Sequence, residues 1–359
     1  MLKYIKVPMQ STLAILLFSL LSLLLGRDEA EIVFAGDAMM HQGQIDAARR
    51  SNGTYDFSEY FSVIAPYIIS ADYAVVNLET PIAGAPYSGY PCFNAPASYL
   101  NALSAAGFDL FLTANNHTLD RGDRGLCATI DSLDARQLDH LGTYKSPTER
   151  AKSLPKIKVI NNIRVGFLNY TYGTNGISPR GNVVVDYINR DVMKRDVEAL
   201  RKAGAEIIFA CVHWGIEYQL LQHQSQTSLA EYLHSLGVEC VIGGHPHVVQ
   251  PIHLSDNRLT VYSLGNFISN MKTTDTRGGA MLRVTISRQA DGSISVDDAS
   301  YRLVYTVPAG NGRNFRLVWP DAANDARAAA FAQSARTLFG KHNTNVAEDK
   351  PLLLQLINK

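Results

Sequence analysis

The 359-residue chain has no net charge: Lys and Arg number 33, and so do Asp and Glu. That balance excludes the broad basic surface that a nucleic-acid or acidic-membrane partner requires, and no nucleic-acid partner is expected. An anionic substrate would have to be held locally, by a metal ion or a few basic side chains. Cysteine is scarce, with four residues in all, which excludes a disulfide-built scaffold. Cys211 and Cys240 sit in apolar runs and read as core thiols; Cys92 and Cys127 could pair, and nothing in the sequence decides it. There is no internal repeat and no low-complexity linker, which excludes a solenoid. Hydrophobic residues make up 46% and charged residues 18%, as in a globular protein with a full core.

The chain begins with an export-like pattern. Lys3 and Lys6 precede an apolar run from Leu13 to Leu25, short for a membrane span and resembling a signal-peptide core. No A-x-A-like cleavage site follows, and no Cys that would mark a lipoprotein. Residues 1–30 therefore read as a signal peptide or an uncleaved signal anchor. The remainder is expected outside the cytoplasm, in the periplasm or at the cell surface, with any membrane anchorage depending on that segment.

Beyond it, apolar strand-like runs alternate with helical spacing. Glu31 to Ala35, Tyr73 to Asn77, Phe108 to Thr113, Leu138 to Thr143, Glu206 to Val212, Val238 to Ile242 and Arg258 to Ser263 read as strands. Ile157 to Ile160 and Arg164 to Tyr170 read as a hairpin joined by Asn161-Asn162. Helical patterns cover Phe57 to Ser70, Ser98 to Ala106, Gly125 to Arg136, Val192 to Ala203, Gln226 to Leu236 and Ala322 to Phe339. Strand-like runs continue at Met281 to Ile286 and Tyr301 to Val307.

Chemistry-bearing residues stand where the strands end. Gly36-Asp37 closes the first strand, with His41 four residues on; Glu79 follows the second. The third runs into Asn115-Asn116-His117, with Asp120 nearby. The run Glu206 to Val212 delivers His213-Trp214-Gly215, and Val238 to Ile242 delivers Gly243-Gly244-His245-Pro246-His247. Each alone has an ordinary reading: Asp37 as a helix N-cap, Glu79 as a solvated carboxylate, His213 as a core imidazole beside Trp214. Open α/β sheets bind ligands at the carboxyl ends of their strands, so together these residues would gather at one edge. Carboxylates, an amide and imidazoles suit Mn, Fe or Zn. The polar loop Thr171 to Gly176 reads as either a substrate-side loop, through Tyr172 and Asn175, or a surface turn.

The ordered set Gly36-Asp37-x-x-x-His41, Asn77-x-Glu79, Ala114 to Gly122, His213-Trp214-Gly215, Gly243 to His247 and Ser263 to Phe267 resembles the poly-γ-glutamate capsule synthesis protein CapA family, over residues 31 to 270. The resemblance implies kinship with calcineurin-like metallophosphatases. The implied fold is α/β (α+β), a four-layer sandwich of two mixed β-sheets flanked by helices, with residues 271–359 completing the same domain. Carried over by motif, Asp37 and His247 would hold one divalent ion, joined by His41. Glu79 would bridge to a second ion held by Asn116, His213 and His245. His117 would act as general acid, oriented by Asp120. The spacing of His41 from Asp37 departs from the phosphatase Asp-x-His. The family implies two divalent ions, an anionic polymer or phosphoester substrate, and membrane-bound capsule synthesis partners. The expected function is a metal-dependent hydrolase in poly-γ-glutamate or related surface-polymer biosynthesis, with a non-catalytic, metal-stabilised polymer-binding component as the alternative.

Overall fold

Both ends of the chain build one large mixed sheet, and its middle builds a second. The computed structural model describes residues 28–310 and 312–349; the expected export segment lies outside them except at its end, where Glu29 and Ala30 already belong to the first strand. No helix among the described residues is long and apolar enough to cross a membrane. The first sheet starts with four parallel strands, β1 (Glu29–Ala38), β2 (Tyr73–Leu78), β3 (Leu110–Leu112) and β4 (Asp139–Leu141). Next come β5 (Thr143–Tyr144), β6 (Lys156–Ile160), β7 (Ile163–Thr171), β8 (Val184–Val185), β9 (Ile207–His213), β10 (Cys240–Gly244), β11 (Ile252–Ser255) and β12 (Arg258–Val261). Six of these form the second sheet in the order β11-β12-β10-β9-β7-β6, while β5 and β8 pair as a ribbon. The chain then re-enters the first sheet through β13 (Asn266–Ile268), β14 (Gly278–Arg288), β15 (Ile294–Val307), β16 (Arg316–Val318) and β17 (Ala347–Glu348). Its order is β16-β15-β14-β1-β2-β3-β4, with β13 added on β1 and β17 on β15.

Burial explains the continuous apolar runs. Every residue of β2 and of β9 is buried, as strands covered on both faces require. Between the sheets lie Phe34, Val75 and Leu110 of the first and Phe167, Phe209 and Ile242 of the second. The far face of the first sheet, with Val33, Val76 and Phe111, packs on helical Ile45, Tyr99, Leu100 and Leu103. The far face of the second, with Leu168, Ile208 and Val241, packs on Met193, Val197, Leu229 and Leu233. Helix, sheet, sheet, helix: the four expected layers are present. The helix Ala326–His342 adds Phe331, Ala335 and Phe339 to the inter-sheet core. Cys211 and Cys240 are buried thiols, and Cys92 and Cys127 are unbonded.

Local chemistry sets the boundaries. Asn161 and Asn162 both take positive φ, 45° and 67°, the conformation a two-residue hairpin turn demands. Three expectations are corrected. The helical spacing of Phe57 to Ser70 yields a helix only at Ala65–Ile69, because Pro66 starts it; Phe57, Tyr60 and Phe61 are buried from turns instead. The run Leu138 to Thr143 splits into β4 and β5 at Gly142, whose φ is 109° and where a Cβ would lie 2.2 Å from Asn169 Oδ1. Asp37 lies inside β1 rather than after it, at an irregularity between Ala35 and Asp37 where β1 pairs with β2.

Gly36 stands beside that irregularity. A Cβ there would sit 2.0 Å from the carbonyl oxygen of Gly265, which accepts the Asp37 N–H at 3.0 Å. Backbone on both sides cannot yield cheaply. Gly36→Ala should destabilise the fold by at least about 1–3 kcal/mol, read as a lowered Tm by circular dichroism; an unchanged Tm refutes this account of the crossing.

Candidate metal centre

Within each sheet the strands that end at the site run parallel, so their carboxyl ends share one edge. β1, β2 and the turn after β3 bring Asp37, Glu79 and Asn116 from the first sheet. β9 and the turn after β10 bring His213, His245 and His247 from the second. They meet across the gap between sheets. Glu79, His245 and His247 place ligand atoms within 4.8 Å of one another, and so do Asp37, Glu79 and His213. Glu79 is common to both groups. Asp37 Oδ2 also lies 3.3 Å from His247 Nδ1, and the rings of His213 and His245 stand 4.8 Å apart.

Asp37 is fully buried. Its Oδ1 accepts from Asn77 Nδ2 at 2.8 Å and its Oδ2 from the His245 N–H at 3.2 Å. Burial raises its pKa, but the hydrogen bond from His247 and the nearby imidazoles outweigh this and hold it below the ordinary carboxylate value. Glu79 is also fully buried, and burial followed by the charge of Asp37 pushes its pKa well upward. Its Oε1 lies 3.5 Å from His213 Nε2 and 3.9 Å from His247 Nε2. Burial lowers the pKa of His213 far below normal and that of His245 to about 3, with neighbouring imidazoles adding to the effect. Neutral imidazole is the metal-binding form.

Backbone shape aims these rings. His245 and His247 have φ of 100° and 59°, a region costly for non-glycine residues and concentrated at functional sites. Gly244 leaves room for the Asp37 carboxylate, since a Cβ there would fall 2.8 Å from Asp37 Oδ1. His247 Nδ1 lies 3.1 Å from Asn266 Oδ1 and 3.3 Å from Asp37 Oδ2. Donating there leaves Nε2 free toward Glu79.

The remaining expected residues fall around this core. Asn116 Oδ1 is 2.9 Å from His213 Nε2. Its Nδ2 donates to Asn175 Oδ1 at 3.3 Å, so the Thr171 to Gly176 loop reaches the centre. The half-exposed Tyr172 ring lies 4.6 Å from that of His245. His117 Nδ1 is 2.8 Å from Asp120 Oδ2, and Asp120 Oδ2 also accepts the Phe93 N–H at 2.7 Å. His41 is placed differently: it precedes the helix Gln42–Ala48, its Nδ1 accepts the Asn270 N–H at 3.2 Å, and its ring meets Phe93 edge-on. It belongs to neither group of clustered ligand atoms. Burial lowers its pKa to about 4, with the charges of His247 and His117 in the same direction.

Some contributors escape sequence reasoning. Asn77 Nδ2 faces Asp37, Glu79 and His213 at 2.8, 3.5 and 3.3 Å. Asn266 holds His247 and in turn donates to the carbonyl of Thr276 at 2.9 Å. Glu217 Oε1 approaches His247 Nε2 to 4.0 Å from the solvent side. Asn266→Ala should weaken metal binding by about 10- to 100-fold, measured by competition with a chelating dye; unaltered affinity would remove Asn266 from the centre.

The donor set fits a metal. Glu79 Oε1 and His245 Nδ1 are buried with no hydrogen-bond partner, and such orphaned atoms in a native fold call for an explanation. Two fully buried carboxylates side by side are costly unless a cation offsets them. A divalent ion satisfies both demands.

Comparison with known proteins follows this geometry. Residues 31–271 match the family described as bacterial capsule synthesis protein PGA_cap. The capsule biosynthesis protein CapA of Bacillus anthracis is 26% identical over 71% of this chain and 64% of its own length. The PGA biosynthesis protein CapA of Bacillus subtilis is 26% identical over 73% of this chain and 69% of its own. A probable polyglutamine synthesis accessory protein of Mycobacterium tuberculosis is 23% identical over 56% of each chain. The chain thus spans between about half and two thirds of the relatives it matches. Among solved structures, Haemophilus influenzae NAD nucleotidase aligns with a TM-score of 0.47 at 12% identity, covering 92% of this chain and 66% of the other. TT1561 of Thermus thermophilus aligns at 0.43 and 11%, covering 70% and 93%. With that family matched across two thirds of its length, over the residues that build the centre, the chain belongs to the bacterial capsule synthesis protein PGA_cap family.

Proposed function

We propose that this chain is an exported, metal-dependent hydrolase that acts on an anionic surface polymer of the poly-γ-glutamate class. The observation that carries the reading is the pair of orphaned buried atoms, Glu79 Oε1 and His245 Nδ1, inside a ring of two carboxylates and three imidazoles. The names of the Bacillus relatives support the polymer, and the basic-then-apolar start of the chain supports export. Two divalent ions, held by Asp37, Glu79, Asn116, His213, His245 and His247, would supply Lewis-acid polarisation and charge neutralisation. His117, on the rim of the centre and held by Asp120, would give a proton to the departing oxygen or nitrogen. Tyr172 and Asn175 would border the substrate. Asn77 and Asn266 keep the ligand atoms aimed.

The test is elemental analysis of anaerobically purified protein together with turnover of phosphoesters and γ-glutamyl amides. About two divalent ions per chain, and turnover abolished by chelation and restored by Mn, Fe or Zn, are expected. Protein that retains no ion and shows no metal-dependent turnover refutes the reading. Retained ions without turnover on either substrate class would establish the polymer-binding alternative, with membrane-bound synthesis partners.

A further inference from the structure

A second cleft, of about 650 Å³, opens where β15 ends and β16 begins, beside the start of the helix Ala326–His342. It is lined by Val307, Pro308, Arg313, Asn314, Arg316 and Arg327. Three arginines thus line one opening, Arg313 and Arg327 exposed and Arg316 half-buried. Their opposing carboxylate is Asp325, which accepts from Arg327 at 2.8 Å. Neither Arg313 nor Arg316 has an ion-pair partner among the described residues, and the Nε of Arg316 is buried with no acceptor.

Other part-buried arginines satisfy their guanidinium groups in several ways: Arg136 donates to Asn101 and to the Ser132 carbonyl, Arg277 donates to the Lys272 carbonyl, and Arg302 lies over the Trp319 ring. Arg150, Arg201, Arg283 and Arg288 each hold a carboxylate, namely Asp186, Glu239, Glu31 and Glu206. Desolvating a charge without a partner is costly. Arg316 is half-buried on a short strand, and Arg313 stands beside it. Guanidinium forks match carboxylate and phosphate oxygens in bidentate geometry.

Register places the cleft. β1 pairs with β14 and β14 with β15, where Gly278 stands opposite Tyr305, and β15 pairs with β16, where Val307 stands opposite Arg316. Phe34 opposite Leu282 puts Gly278 level with the end of β1. Arg316 therefore lies toward the same sheet edge as Asp37, with β13, β14 and β15 between them. We propose that Arg313, Arg316 and Arg327 form a binding site for the carboxylates of an acidic chain, separate from the metal centre and toward the same edge. This rests on the polymer reading for its natural ligand, while the anion chemistry stands on the arginines alone.

The test uses the full chain with a fluorescent γ-linked glutamate decamer and, in a second arm, inorganic tripolyphosphate. Arg313→Glu changes an exposed side chain and spares the fold; Arg316→Gln removes the half-buried charge. Decamer Kd should rise about tenfold or more in each variant, as expected when a charge-assisted hydrogen bond is lost, with metal content unchanged. If the wild type binds tripolyphosphate alone and loses it in both variants, the anion site stands and the polymer reading falls. If the decamer binds the wild type and both variants equally, the polymer reading survives and the arginine site is overturned. Failure of the wild type to bind either probe overturns the site as well.

Discussion

Glu79→Ala should leave purified protein essentially free of divalent metal. Glu79 is the one side chain common to both groups of clustered ligand atoms, so its loss would weaken two positions at once. Changing a residue that merely orients a ligand costs about 10- to 100-fold in affinity; losing a shared ligand should cost more than about 100-fold. The vacated space would sit between His213 and His247, both almost fully buried, while the nearest spare carboxylate, Glu217, approaches His247 only from the solvent side. His245→Ala should show the same loss at one position, lowering the metal content by about half under the proposed two-ion occupancy. Elemental analysis of the three proteins, purified in parallel, provides the comparison. Glu79→Ala protein carrying as much metal as the wild type would mean that the orphaned oxygen has another purpose.

His117→Ala should separate metal binding from turnover. His117 is outside both groups of clustered ligand atoms and is bonded to Asp120, an arrangement suited to positioning an imidazole for proton transfer. Turnover should fall by about 10²- to 10⁴-fold while metal content stays constant. Asp120→Asn keeps the volume and one hydrogen bond, and should fall less. Because Asp120 also accepts the Phe93 N–H, its substitution tests position as well as chemistry. Full activity in His117→Ala would leave the centre to work without this acid.

Much of the centre was legible before any coordinates, for a geometric reason. Parallel strands present their carboxyl ends together, so Asp37, Glu79, Asn116, His213, His245 and His247 could be expected to converge although some two hundred residues separate the first from the last. Partners that act through another residue were harder to see. Asn266 in Leu264-Gly265-Asn266 looks like a turn residue until β13 pairs with β1 and sets it against His247. Glu217 looks solvated, and it approaches His247 through a loop in which Tyr218 takes a φ of 66°. The closeness of Asp37 to both His213 and His247 depends on sheet packing across the gap, which no local pattern encodes. The Phe57 to Ser70 stretch misleads because aromatic residues in successive turns can mimic helical spacing while packing as a cluster, here Phe57, Tyr60 and Phe61 against Tyr99.

The position of β14 carries a consequence for any shortened version of this protein. The family match stops at residue 271, yet β1, which bears Asp37, is bordered along Glu29 to Phe34 by β14. A chain ended there would present that flank as a bare template for foreign strands. It should elute as oligomers in size-exclusion chromatography, so the solubility of a truncated protein depends on a tail that supplies no ligand atom to the metal centre.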